Sequence, residues 1–361
     1  MPSIKAAIVG VGNCASALLQ GISYYKSRST DASGLIHPSI GGYEPGDIEI
    51  VAAFDIDDRK VGTPLHQAIF AAPNCTKVFA ADVEESTVVV KMGHLLDGIS
   101  SHMDSFAEER RFRPSSLPPC DIVRELRESG AEMLINFLPV GSVEATEHYA
   151  SCALEAGVAF INCIPVFIAS DPKWADKFEQ AGLPLIGDDI KSQLGATIIH
   201  RVLTRLCEER GIRINRTYQL NIGGNTDFLN MLNRERVAMK KISKTEAVQS
   251  QLETPLAEEH IHVGPSDYIP WLKDNKICHI RIEGSQFGGA DVKLDVKLSV
   301  EDSPNSAGIV IDVIRCCKLA LERRLSGSIL PVAAYAMKHP LVQCTEEEAR
   351  VLLGQFIQGA S

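Results

Sequence analysis

"AAIVGVGNCASALLQG", residues 6–21, decides the fold. An apolar run that reads as a strand enters the turn Gly10-Val11-Gly12-Asn13-Cys14-Ala15. A helical pattern leaves it, with Ala15, Leu18, Leu19 and Ile22 on one face. The turn fits G-x-G-x-x-A, the accepted variant of the dinucleotide fingerprint. Gly10 allows the tight turn, Gly12 lets the backbone approach a pyrophosphate, and Ala15 permits close helix packing. The acidic residue expected at the end of the second strand is Asp55 in "VAAFDID". It should bond ribose hydroxyls and favour NAD over NADP. Asp55 lies beyond the usual spacing of about 20 residues. The Ser-, Gly- and Pro-rich stretch 26–47 accounts for the excess as an inserted loop.

Outward from that turn, short apolar runs alternate with helical patterns. Strands are predicted at "KAAIV", "IEIVAAF", "TVVV", "MLINFL", "VAFINCI" and "LPLIG". Such alternation implies a parallel sheet covered by helices. Two further loops fall at predicted strand ends, where an open α/β sheet binds its ligands. "FLPVGSVEA" places Pro139, Gly141 and Ser142 before a helix, and "LIGDDIKSQLGAT" places Asp188, Asp189, Lys191 and Ser192 before another. Each also reads as a capped helix start.

The pattern changes near residue 213. "RTYQLNI" and "HIRIEG" read as strands, and "DVKLDVKLSV" (291–300) alternates strictly, with its valines and leucines on one face. One buried and one polar face is typical of antiparallel pairing. A long helical pattern returns from Ile309 to about Arg324. The expected fold is α/β: a Rossmann-type domain (1–212 plus 303–361) carrying an inserted α+β domain (213–302).

At 361 residues the chain has room for two domains, and its charged fraction of 23 % is ordinary for a globular protein. A formal net charge of −10 argues against a nucleic-acid binder, since phosphate contacts need a basic surface. No apolar run approaches a membrane span, and "MPSIKAAIVG" lacks the layout of a signal peptide. The ten cysteines form no C-x-x-C pair and several lie in apolar runs, which suggests buried thiols in a reducing compartment, the cytoplasm. His260 and His262 are close but lack a third ligand, so no metal site is assigned.

Against this acidity, "AMKKISKTEA" (238–247) crowds Lys240, Lys241 and Lys244 together. A short charge run is usually a solvated face. Ser243 followed by Glu246 has the capping-box spacing, which predicts a helix start at Ser243 with Lys244 in its first turn. A cation there opposes the helix dipole unless an anion lies beside it.

The set "VGVGNCAS", "GDDIKSQLGAT", "LNIGGNTDFLN", "KKISKT", "EDSPNSAG" and "AYAMKHP", in that order, resembles the myo-inositol-1-phosphate synthases of the shorter prokaryotic type, over essentially the whole chain. The resemblance implies conversion of D-glucose 6-phosphate to inositol phosphate with tightly bound NAD. C5 is oxidised, a C6 proton is lost, the enolate attacks the C1 aldehyde, and C5 is reduced again, with no net redox change. It implies catalytic roles for Lys240, Lys244, Lys276 and Lys338. Lys240 serves the C5 oxygen, Lys244 and Lys276 the phosphate, and Lys338 the oxyanions, with Asp302 orienting a lysine. Without the resemblance, Asp302 reads as a cap for the following helix, with Pro304 in its first turn. Asn225, Thr226 and Asp227 should line the substrate pocket; their alternative is a glycine-rich turn. Lys241 matches no family lysine and stays a solvated residue. Longer eukaryotic members carry Ser-Gly-Gln-Thr after the "GDD" lysine. Here the run is Ser192-Gln193-Leu194-Gly195, so Ser192 alone is carried over.

The resemblance places the cofactor on the glycine-rich loop (Gly10, Val11, Gly12, Asn13, Cys14 and Ala15) and on Asp188 and Asp189; the strand-end reading adds Asp55, Pro139, Gly141 and Ser142. The resemblance also implies a homotetramer assembled through the second sheet, and leaves open a divalent metal or monovalent cation as an additional cofactor. Two rivals remain at this point: a net sugar-phosphate dehydrogenase, which would release NADH in step with product, and a non-catalytic NAD-binding sensor.

Overall fold

The computed structural model describes residues 3–28 and 32–359; residues 29–31 of the expected insertion lie outside the described residues. Among the described residues eleven strands form: β1 (Ile4–Val9), β2 (Ile48–Asp55), β3 (Lys91–Met92), β4 (Met133–Asn136), β5 (Ala159–Asn162), β6 (Pro184–Ile186), β7 (Arg213–Gly223), β8 (Ile261–Tyr268), β9 (Asn275–Ser285), β10 (Asp291–Glu301) and β11 (Gly327–Ser328). The helices are α1 (Asn13–Ser27), α2 (Leu65–Ala68), α3 (Ile122–Ser129), α4 (Val143–Ala156), α5 (Pro172–Gln180), α6 (Ala196–Glu209), α7 (Thr226–Asn230), α8 (Ala238–Gln249), α9 (Asp302–Glu322), α10 (Leu330–Ala336) and α11 (Glu346–Gln358).

Seven strands make a parallel sheet in the order β11-β6-β5-β4-β1-β2-β3. The order reverses between β1 and β4, which is the switch point of a doubly wound fold. Helices cover both faces, so alternate residues of one strand enter different cores. Met133 and Ile135 of β4 join Ile8, Leu18, Val310 and Ile314, whereas Leu134 joins Tyr149, Phe160 and Phe178. The described part of the insertion is strapped to α9. Arg315, wholly buried, donates to the carbonyls of His37, Pro38 and Tyr43, and His37 pairs with Asp312.

The run "TVVV" is not a strand of this sheet. Its backbone pairs with residues 62–65 instead, through Leu65 N to Val88 O and Gly62 N to Val90 O. Only Lys91 and Met92 beyond it join β2.

The second sheet has the order β10-β9-β7-β8. β10 is antiparallel to β9 along its whole length, and β9 is antiparallel to β7. β7 and β8 are parallel, so the sheet is mixed rather than purely antiparallel. A parallel pair needs a crossover, and here the crossover carries α7 and α8. Strand β8 escapes prediction because "IHVGPSDY" is broken by Gly264 and Pro265. Helix α9 begins at Asp302, seven residues before the predicted Ile309. It leaves the second sheet and returns to pack on α1, β1 and β6 of the first.

Candidate active site

A cleft of about 1410 Å³, counted to its open mouth, runs from the Gly10 turn to the lysines of α8. Gly10 has φ +89°, and a Cβ there would lie 2.7 Å from Phe137 O, so only glycine fits between β1 and β4. The space above Gly12 is open, with no atom within 4 Å of a built Cβ. A phosphate could therefore approach that backbone. Asn13 is turned inward to hold residues 75 and 76: its Oδ1 accepts from Cys75 N at 2.7 Å and Thr76 N at 3.2 Å. Asp55 Oδ2 accepts from Val11 N at 2.6 Å, which locks the glycine turn to the end of β2. Its Oδ1 accepts from Ile56 N and Asp57 N.

Gly10, Gly12, Asn13, Cys14, Asp55, Pro139 and Asp189 line the cleft; Val11 and Ala15 do not. Ala15 is buried against the sheet, as its packing role requires. Gly141 has φ +83° and fits under Arg236, whose guanidinium donates to Ser142 Oγ; neither lines the cleft. Asp188 faces away from it. Its buried carboxylate accepts from Asn162, from Ile168 N and Ala169 N, and from Ser170, which orders the 162–170 loop behind the wall.

Sequence reading missed Lys60 and Asn74. Lys60 is buried, with Nζ 3.0 Å from Asn74 Oδ1 and 3.9 Å from Asp55 Oδ2. Asn74 Nδ2 donates to Val11 O. Both fall between residues 57 and 121, where turns and elements of two to five residues are too short to leave a periodicity to read.

At the other end of the cleft, Lys240, Lys244, Lys276 and Lys338 converge with Asn225, Thr226, Asp227, Asp302 and Ser192. Three of the lysines are paired. Lys240 Nζ lies 2.9 Å from Asp227, Lys276 lies 3.0 Å from Asp302, and Lys338 lies 2.7 Å from Asp189. Among the described residues Lys244 has no such partner. Burial drives its ammonium well below the usual lysine range, and Lys240, Lys276 and Lys338 add to the effect. Lys338 is lowered by burial, with Asp189 offsetting part of it. Burial would lower Lys276, but Asp302 outweighs it and raises the group. Burial likewise works against the charged forms of Asp189 and Asp302, yet the lysines hold both carboxyls below the ordinary aspartate value.

The predicted helix start at Ser243 is wrong. Helix α8 begins at Ala238, and Ser243 lies within it, donating to Asp189 Oδ2 at 2.8 Å. Lys244 is therefore not in a first turn. Lys240 and Lys244 instead share one face at i, i+4 and enter the cleft together. Lys241 points outward, with its side chain 54 % exposed. Asp302 does not cap α9 with its side chain; the cap position is Glu301, without a side-chain bond. A free helix start does adjoin the lysines. Gly195 precedes α6 with no side-chain cap, and Ala196, Thr197 and Ile198 face a small recess with Ser192, Lys244, Lys276 and Lys338. Among the described residues no three His, Cys, Asp or Glu side chains are grouped so as to hold a metal ion.

Known proteins share this chain's sequence and shape. Residues 195–303 match the family described as myo-inositol-1-phosphate synthase. The chain is 50 % identical to the inositol-3-phosphate synthase of Mycolicibacterium smegmatis, over 99 % of this chain and 98 % of that one. It is also 50 % identical to the inositol-3-phosphate synthase of Corynebacterium glutamicum, over 98 % of each. A solved structure of a myo-inositol-1-phosphate synthase-related protein from Thermotoga maritima superimposes with a TM-score of 0.81 at 25 % identity, covering 99 % of this chain and 98 % of that one. Half the residues shared along almost the full length, on the same fold, mean that the chain belongs to the inositol-3-phosphate (myo-inositol-1-phosphate) synthase family.

Proposed function

We infer that the chain is an inositol-3-phosphate synthase: it converts D-glucose 6-phosphate to 1D-myo-inositol 3-phosphate by C5 oxidation, enolisation, aldol closure and re-reduction. The observation that carries this reading is one cleft joining a dinucleotide turn to four lysines interleaved with three carboxylates. The glycine turn, the open space at Gly12 and Asp55 fit NAD. Bound NAD supplies the hydride acceptor for C5 and the hydride that later returns to it.

The chain's own residues then handle charge and protons. Lys240, oriented by Asp227, is placed to hold the C5 oxygen and exchange its proton. Lys338, oriented by Asp189, stabilises the oxyanions of enolisation and ring closure. Preorganised cations of this kind act most strongly where water is excluded. Lys244 and Lys276 hold the phosphate, with Ser192 and the free start of α6 as further donors. Lys244 has no paired carboxylate among the described residues, and a dianionic ester would supply its counter-charge.

Residues 1–212 with 303–361 serve as the dinucleotide-binding domain, and 213–302 as the catalytic and oligomerisation domain. Exposed aromatic side chains of this domain are compatible with assembly as a homotetramer: Tyr218 on β7, and Phe287 in the β9–β10 hairpin turn, which is 99 % exposed. All ten cysteines are free thiols and no described helix is long and apolar enough to cross a membrane, which is compatible with residence in the cytoplasm.

The test is incubation with D-glucose 6-phosphate and NAD, following phosphate esters by phosphorus NMR and NADH by absorbance. Inositol phosphate without stoichiometric NADH is the expected result. Steady NADH with an oxidised sugar phosphate would make the protein a dehydrogenase instead, and NAD binding without turnover would make it a sensor.

A further inference from the structure

Asp274 is a buried carboxylate that the mechanism above leaves unused. It is 1 % exposed, and no cation pairs with it among the described residues. A carboxylate in that position is costly unless donors surround it. Three donors do so here. Its Oδ1 accepts from Asn225 Nδ2 at 3.0 Å and from Ser303 Oγ at 2.8 Å. Its Oδ2 accepts from Ser303 N at 3.1 Å.

Those donors belong to two segments that face the substrate end of the cleft. Asn225 turns its other amide atom, Oδ1, to Asp227 N and Phe228 N, which fixes the start of α7 and hence Asp227. Ser303 follows Asp302 in the first turn of α9, and Asp302 N donates to Asp274 O at 2.9 Å. Asp274 itself precedes Lys276 by two residues on the way into β9. Gly224 N donates to Lys273 O, so the chain just before Asp274 is held against the loop that leads into α7. One carboxylate thus joins the segments that supply Asp227, Asp302 and Lys276, and Lys240 of α8 is tied to them through its pairing with Asp227.

Resting on the synthase reading, we propose that Asp274 is a positioning residue, setting the two aspartate–lysine pairs relative to one another. Only an acceptor meets the geometry. An amide at this position would offer one acceptor oxygen to three donors and aim its own N–H groups at one of them. Burial and then Asp302 raise the proton affinity of Asp274, up to about 7, and the hydrogen bonds from Asn225 and Ser303 act the other way, in favour of the carboxylate.

The test uses Asp274→Asn and the exchange double variant Asn225→Asp/Asp274→Asn. In the exchange, the carboxylate moved to position 225 still caps α7, and the amide moved to position 274 can donate to it. Wild-type turnover of glucose 6-phosphate to inositol phosphate is the control; its failure refutes the synthase reading and not the role of Asp274. With that control in place, Asp274→Asn is expected to lose kcat by roughly 100-fold, the scale of a small misplacement of reacting groups. NAD affinity by equilibrium dialysis should stay within about twofold of wild type, and the exchange variant should recover about tenfold in kcat. Normal kcat in Asp274→Asn overturns the proposal. So does loss of kcat that tracks loss of NAD binding, or an exchange variant that recovers nothing. If Asp274→Asn does not fold, Ser303→Ala removes one donor only and should lower kcat with NAD affinity kept; unchanged kcat there overturns the proposal equally.

Discussion

Lys244 differs from the other cleft lysines in having no carboxylate at its ammonium among the described residues. Its proton is held weakly, because burial and three like charges act together. A phosphate dianion reverses that balance by supplying the missing counter-charge. Binding through Lys244 therefore needs its proton, and the proton leaves as pH rises through a value well below the usual lysine range. KM for glucose 6-phosphate should climb with pH on a limb starting well under the ordinary lysine value of 10.5. In Lys244→Arg, whose guanidinium stays protonated, that limb should move upward. An alkaline limb unmoved in Lys244→Arg would place the phosphate elsewhere. Lys244→Ala should cost about 10²–10³-fold in kcat/KM, with NAD affinity retained. At Gly10 the prediction concerns backbone. A Cβ would stand 2.7 Å from Phe137 O at φ +89°, so Gly10→Ala should abolish NAD binding measured by calorimetry. Both residues were legible in the sequence, Gly10 from its place between strand and helix and Lys244 from the crowded lysine run and the family resemblance, though the helix start assigned beside it was wrong. The lysines' partners are another matter. Asp227, Asp189 and Asp302 come from separate segments, and no local pattern says which aspartate meets which lysine.

Elements were legible where burial imposes a period. The fully buried strands β4 and β5 read as apolar runs, and β10 reads as an alternation. Local capping chemistry misled. Ser243 and Glu246 have the spacing of a helix start, yet the serine hydroxyl is drawn into the cleft by Asp189, and the helix runs on through it. The apolar period of α9 becomes readable only at Ile309, seven residues late, whereas the alternative reading of Asp302 as a cap with Pro304 in the first turn put the start within a residue of its place. Helix α11 shows how one residue can anchor an element. Glu346 at its first turn meets Lys191 at 3.0 Å and Arg201 at 2.7 Å, each cation 1 % exposed. Lys191 is lowered to about 8 by burial, and Glu346 opposes that fall. Glu346→Ala would leave both cations buried without their carboxylate. The expected cost is about 3 kcal/mol of stability, read by urea unfolding. A change under about 0.5 kcal/mol would show that the carbonyls around Arg201 suffice.

For the whole molecule, fold class was legible because the two sheets use different patterns: apolar runs where both faces are covered, and alternation where one is not. The parallel β7–β8 pair was hidden by the broken pattern of β8, and with it the fact that the lysine helix is a crossover. Acid stability should show one identifiable contribution. His200 is wholly buried and burial lowers its pKa from 6.5 to about 4. Between those values the unfolded chain takes up a proton that the folded chain refuses. Stability is therefore lost as pH falls from about 6.5 to about 4, by about 3 kcal/mol for this group. The loss should be missing in His200→Gln when the two proteins are compared by urea unfolding across that range.

The surplus ammonium in the cleft also bears on how the protein is handled. Four clustered cations repel one another in the folded chain and are spread apart in the unfolded one. Any multivalent anion that settles among them becomes a ligand of the native state alone, and raises the melting point by mass action. At 100-fold over its dissociation constant such an anion contributes about 2.7 kcal/mol. Tm should be higher in phosphate or sulfate than in chloride at matched ionic strength, and Lys244→Ala should narrow the gap. The choice of buffer salt would then set both the shelf life of the protein and the apparent KM of its substrate, since storage anion and sugar phosphate compete for one place.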